Sequence, residues 1–190
     1  MQREHLGKAM HYLVAVCVLV SALAMFACGG DDDEGEVKNI IATVPADEDT
    51  AAAVQGRTFT LANGQVFGGS VPGTSPVFLT FTTPTTFTLT RPATSLSLSG
   101  RVDYEGEDSC TFIPLSGPAL EVDTCNLIVN ANNVVVGTGQ VSGTISLVLN
   151  DAGSTITSDA LPATVFINSD GELFVVNPVT GVSVDMGIEP

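Results

Sequence analysis

Tryptophan is absent from the 190-residue chain, and histidine is confined to His5 and His11. Beyond residue 27 there is one tyrosine, Tyr104, and the only cations are Lys38, Arg57, Arg91 and Arg101. Each scarcity removes chemistry from that part of the chain. Without histidine there is no Ser-His-Asp triad, no Cys-His pair and no zinc site of the usual histidine-bearing kind. Lys38 is the only lysine past residue 8. It falls outside the expected domain, so neither a Ser-Lys dyad nor a Schiff base is expected. Carboxylates, hydroxyls and three arginines remain, and the expectation is a protein that is not an enzyme and uses no cofactor.

Positive charge is just as scarce. Residues 1–27 carry +1 from Arg3, Lys8 and Glu4, so residues 28–190 carry −16 against −15 for the whole chain. A surface of that sign repels nucleic acid and anionic headgroups, so no nucleic-acid partner is expected.

What is present begins with an export pattern. Arg3 and Lys8 precede an apolar run at residues 13–27 in which Ser21 is the one hydroxyl. A spanning helix needs roughly 20 apolar residues, so this run is short for a permanent span. Basic residues, a short apolar run and then small residues describe a secretory signal peptide. Ala22-Leu23-Ala24 fits ordinary cleavage, which would leave Met25 at the new N-terminus. Ala27-Cys28 fits a second kind of cleavage, in which the thiol of Cys28 takes up a lipid.

Met25-Phe26-Ala27-Cys28 resembles the lipobox of bacterial lipoproteins, which usually reads Leu, then Ala or Ser, then Gly or Ala, then Cys. The last two positions match, while Met25 and Phe26 depart from the pattern. Gly-Gly-Asp-Asp-Asp-Glu-Gly-Glu follows Cys28. A glycine-rich run of like charge does not pack and serves as a solvated tether. The resemblance implies a signal peptide over residues 1–27 and lipidation of Cys28. Membrane anchoring would then come through the lipid, at about 0.8 kcal/mol per buried CH₂. By resemblance to sorting in Gram-negative lipoproteins, Gly29 in place of Asp implies delivery to the outer membrane.

The expected organisation is a lipidated Cys28 and flexible acidic tether over residues 28–53, then one domain over residues 54–190. Residues 39–44 form a short apolar stretch within the tether that could dock on the domain. From Val54 onward, short segments alternate apolar residues with Thr or Ser. Examples are Thr58-Phe59-Thr60-Leu61, Thr86-Phe87-Thr88-Leu89 and Ser95-Leu96-Ser97-Leu98-Ser99, with others at 141–149, 164–167 and 182–184. Such alternation marks strands with one buried face. Asn63-Gly64 and Asp170-Gly171 read as tight hairpins, and Asp151-Ala152-Gly153 ends what reads as the longest strand. The fold class is all-β, a single antiparallel β-sandwich, with a small closed β-barrel as the alternative.

Cys110 and Cys125 are the only thiols beyond Cys28. In an exported chain they are expected to form a disulfide. Both are equidistant from Gly117-Pro118, so a hairpin folded there would set Cys110 directly opposite Cys125. Ile113 would face Val122, Leu115 would face Leu120, and Thr111 would face Thr124.

Several acids deserve a chemical reading. Asp103, Glu105, Glu107 and Asp108 offer oxygen ligands of the kind calcium takes, without the EF-hand pattern. A solvated turn is the better reading of them, so they are weak calcium candidates and no metal site is expected. Asn168, Asp170 and Glu172 around Gly171 read as a turn. Glu121 and Asp123 alternate on one strand and are the pair a carboxylate-only glycosidase-like hydrolase would need. The expected function is a lipid-anchored envelope protein with a non-catalytic binding or structural domain, its protein or glycan ligand unknown. A carboxylate hydrolase and a calcium-dependent adhesion module are the alternatives.

Overall fold

The computed structural model describes residues 35–62, 67, 71, 75–106 and 108–190. They form two curled antiparallel sheets that share one apolar core. The first sheet has the spatial order β1 (Val37–Pro45), β8 (Thr124–Val135), β9 (Val141–Asp151), β11 (Leu161–Ile167), β12 (Leu173–Val176) and β13 (Ser183–Asp185), with β10 (Ser154–Thr157) also paired to β9. The second runs β2 (Thr58–Leu61), β3 (Val77–Thr83), β4 (Thr86–Arg91), β5 (Leu96–Glu105), β6 (Ser109–Pro114) and β7 (Leu120–Val122), each strand beside its neighbour in sequence. The fold is therefore the expected all-β sandwich, made of two successive meanders with β1 added to the edge of the later one.

Alternation builds both inner faces. In β4, Phe87, Leu89 and Arg91 point inward while Thr86, Thr88 and Thr90 point outward. The second sheet supplies the aromatic half of the core. Phe112 lies 5.1 Å from Phe87 and 5.6 Å from Phe67 in edge-to-face geometry, and Phe59 meets Phe81 the same way. Such contacts add to area burial because ring edges and faces carry opposite partial charge. The first sheet supplies aliphatics, among them Ile40, Leu127, Val129, Ile145, Leu147 and Val165. Gly100 sits where β5 and β6 come closest: a Cβ there would lie 1.9 Å from the Ile113 carbonyl oxygen.

Three expectations need correction or qualification. First, residues 37–53 are not tether. Val37–Pro45 is a strand paired to β8, from Val37↔Val135 to Pro45↔Asn126, because Ile40, Ala42 and Val44 alternate inward. Asp47-Glu48-Asp49, which reads as solvent-seeking, opens a short helix, α1 (Glu48–Ala51). Asp47 is its N-cap, accepting from the Thr50 amide at 2.8 Å, and acids are favourable at a helix N-terminus. A 3₁₀ turn, Ala52–Val54, then buries Ala53 and Val54 before β2.

Second, the strand ending at Asp151 has 11 residues and is shorter than β8, which has 12. Asn126, Asn130, Asn132 and Asn133 obscure β8 in the sequence, yet its inward positions are Cys125, Leu127, Val129, Ala131 and Val134. Third, the hairpin at Gly117 forms with a different register. Cys110 faces Val122, Thr111 faces Glu121 and Phe112 faces Leu120. Of the turn signals, residues 168–172 connect β11 to β12 as an antiparallel pair. Ala152-Gly153 joins β9 to β10, with φ of 48° and 80° as a tight hairpin requires. Asn63 and Gly64, with the signal peptide, Cys28 and Glu107, lie outside the described residues.

Candidate functional site

Cys110 and Cys125 are disulfide-bonded, with Cα atoms 6.0 Å apart, but they do not face each other across one hairpin. Cys110 is on β6 of the second sheet and Cys125 on β8 of the first. Asp123 alone separates β7 from β8, so the chain changes sheets at that point. The disulfide pins the corner, and the Cys125 amide donates to the Asp108 carbonyl beside it. Both cysteines are buried, which suits a structural crosslink and not an exposed redox pair.

Of the acids at 103–108, Asp103 holds local structure through its carboxylate, and Glu105 and Asp108 through their main chain. Arg101 clamps Asp103 with two hydrogen bonds, of 2.8 and 2.9 Å. That contact also raises the exposed Arg101 guanidinium above its ordinary pKa, first through the hydrogen bond and then through the charge of Asp103. The Glu105 carbonyl accepts from the Ser109 hydroxyl, and the Asp108 carbonyl accepts from Cys125. Among the described residues, no three His, Cys, Asp or Glu side chains are grouped as metal ligands.

Asn168 closes its turn from inside. Its Oδ1 accepts from the amides of Asp170 and Glu172, at 3.0 and 2.9 Å, and its Nδ2 donates to Glu172. Asp123 accepts from the Ala152 amide at 3.0 Å, fastening the sheet corner to the β9–β10 hairpin. Glu121 points outward beside Thr111. The proposed carboxylate pair is thus one surface side chain and one corner fastener.

Two arginines are interior struts. Arg57 is buried and donates to the Pro162 carbonyl of the opposite sheet at 2.6 Å, and desolvation lowers its pKa. Arg91 is fully buried and donates to the Val71 carbonyl at 3.2 Å. Strand parity was the signal for it: in Thr-Phe-Thr-Leu-Thr-Arg the arginine shares the parity of the two apolar residues. Tyr104, largely buried, donates to the Pro84 carbonyl at 2.7 Å. Burial raises its pKa, with Asp47 and Glu48 adding to the shift. Asn177 is a third strut, fully buried. Its Nδ2 donates to the carbonyls of Ala52 and Gln55, and its Oδ1 accepts from the amides of Val179 and Thr180.

One feature of functional size is a groove. Strand pairing sets Val37, Val135 and Val141 toward one pole of the first sheet, and Pro45, Thr124 and Asp151 toward the other. A groove of about 900 Å³ runs between the end of β1, α1, the β5–β6 turn at Gly106 and residues 182–187, where Val184 continues the cross-strand row of Val141, Val165 and Val175. Asp47, Asp49 and Asp185 line it with Val44, Val184 and Met186, and no cation lines it among the described residues. Its size falls in the range of ordinary ligand sites. Nothing in the sequence marked it, because its walls come from four separate segments. Comparison of the chain with protein-family models, curated proteins and solved structures finds no match.

Proposed function

We propose that the protein is exported, cleaved ahead of Cys28, lipidated on that thiol and held at the cell envelope as a non-catalytic binding module. The Ala27-Cys28 junction and the acidic, glycine-rich run after it support the anchor. What supports a binding role over a catalytic one is the structural work that several of the candidate side chains do. Asp103, Asp123, Asn168, Arg57 and Arg101 are each committed to a structural partner. The groove presents carboxylates and apolar side chains as a contact surface.

Tether length adds a geometric consequence. The domain begins at Val37, so eight residues separate it from Cys28. A chain of that length reaches at most about 28 Å in any conformation. The Val37 end of β1 is therefore held within that reach of the lipidated Cys28. Gly29 directs the lipoprotein to the outer membrane of a Gram-negative host.

Intact mass and N-terminal fragment mapping of the protein from a bacterial host test this reading, with and without Cys28→Ala. The expected product starts at Cys28, carries the mass of a diacyl- or triacyl-glyceryl group, and is lost in the variant. A free N-terminus at Met25, unchanged in the variant, would overturn the anchor.

A further inference from the structure

The two edges of the first sheet are built differently. The Ala46 amide donates to the Cys125 carbonyl, so even-numbered residues of β1 turn their backbone groups toward β8 and odd-numbered ones turn them outward. Pro45 occupies an outward position, where it costs no ladder bond and offers no N–H to a newcomer. Lys38 and a register shift between Lys38 and Ile40 guard the other end. The β1 edge thus carries three devices against strand addition.

The β13 edge carries no proline, lysine or bulge; it is short, bears Asp185, and faces α1 and the 3₁₀ turn across the groove, so a strand added there would lie between β13 and α1. Its pairing to β12 extends beyond the strand, since the Met186 amide donates to Leu173 and the Leu173 amide to Ile188. The Asn177 amide donates to the Val182 carbonyl at the other end. Even positions therefore face β12, and Ser183 and Asp185 turn their N–H and C=O groups away from it. Residues 182–187 are also the continuous wall of the acidic groove. Val184 and Met186 lie at its base, and Asp47, Asp49 and Asp185 give it one sign of charge.

We propose that the free edge of β13 is a strand-addition site for an extended, lysine- or arginine-bearing polypeptide segment. Main-chain hydrogen bonds to Ser183 and Asp185 supply affinity, and alternate side chains meet the apolar base and the carboxylates. The proposal rests on the reading of the domain as a non-catalytic binding module, and names the partner class of its groove.

The test uses the full mature protein, purified in detergent from a bacterial host. One probe is a synthetic peptide of alternating valine and lysine. Its twin has the same sequence with alternate amides N-methylated, so charge and side chains match and only backbone pairing differs. Hydrogen exchange read by mass spectrometry is expected to slow by about tenfold or more at residues 182–187 with the first peptide. The twin should leave exchange unchanged. Ser183→Pro removes an outward N–H that β12 does not use, and should abolish the slowing while Tm stays within about 2 °C. If that variant proves less stable, the twin carries the test alone. Equal slowing by both peptides, no slowing with either, or slowing that survives in a folded Ser183→Pro variant overturns the proposal. The mass of the recovered peptide separates two failures: intact but unbound peptide overturns strand addition alone, whereas cleaved peptide overturns the non-catalytic reading beneath it.

Discussion

Asn177 bears more structural responsibility than its single position suggests, and replacing it tests the reasoning quantitatively. Its carboxamide makes four hydrogen bonds: to Ala52 O at 3.0 Å, to Gln55 O at 2.7 Å, and from the amides of Val179 at 2.8 Å and Thr180 at 3.2 Å. Together they fasten the 177–182 loop to the 3₁₀ turn that leads into β2. Val179 and Thr180 are exposed, so water takes over their amides at small cost. The two carbonyls are half-buried, and losing their donor costs ~1–1.5 kcal/mol each. With ~0.5 kcal/mol for each of the other two bonds, Asn177→Ala should lose about 3–4 kcal/mol. Tm should fall by roughly 10 °C in a domain of this length.

Thermal and urea denaturation followed by circular dichroism measure this directly. Asn177→Asp sharpens the test, because it keeps the acceptor and replaces the donor with a carboxylate facing two carbonyls. That environment raises the folded-state pKa above the unfolded value of about 3.9. The variant is then least destabilised below that value and loses further stability as pH rises through the folded pKa. A loss under about 1 kcal/mol for the alanine variant would refute the assignment. So would a pH dependence of opposite sign for the aspartate variant.

Three further outcomes follow from the disulfide and from Arg57. Replacing Cys110 and Cys125 together by alanine removes a link spanning 15 residues, and should cost ~3 kcal/mol, shifting the urea midpoint by about 1–2 M. Arg57→Met should be neutral or stabilising in thermal melts, because Nη1 is buried without a hydrogen-bond partner and the strut costs desolvation. Arg57→Ala should lose about 2 kcal/mol by leaving a cavity where the side chain packs.

Much of the strand content was legible because period-two alternation is a local property. Thr58–Leu61 and Thr86–Arg91 show it directly, and Asp170-Gly171 marks its hairpin. Alternation assigns faces but not partners. The register at Gly117 was misjudged because symmetry about a turn assumes that both flanking segments stay in one sheet, and at Asp123 the chain leaves it. The cysteine pair was still correctly matched, since the leaving strand passes directly over the one it quits. The asparagines of β8 resemble loop composition: Asn126, Asn130 and Asn132 share the outward parity, and Asn133, at φ 57°, marks the break after which Val134 turns inward. β1 resembles tether in the sequence because the acids at 47–49 have the composition of solvated chain, although one of them caps a helix. The groove had no sequence signal, because its geometry exists only after four distant segments meet.

The lone long-range strand also has a history in time. Every other strand of the first sheet pairs with a near neighbour in sequence, whereas β1 pairs with β8 from Val37↔Val135 to Pro45↔Asn126. A ribosome adding 5–20 residues per second leaves β1 waiting on the order of ten seconds for its partner. During that interval Ile40-Ile41-Ala42-Thr43-Val44 is an apolar, β-prone segment with nothing to bind. Lys38 on one side and Asp47-Glu48-Asp49 on the other bracket it with charge. The acids that later open a helix thus serve first as gatekeepers, keeping an unpaired strand from finding another copy before its own partner exists.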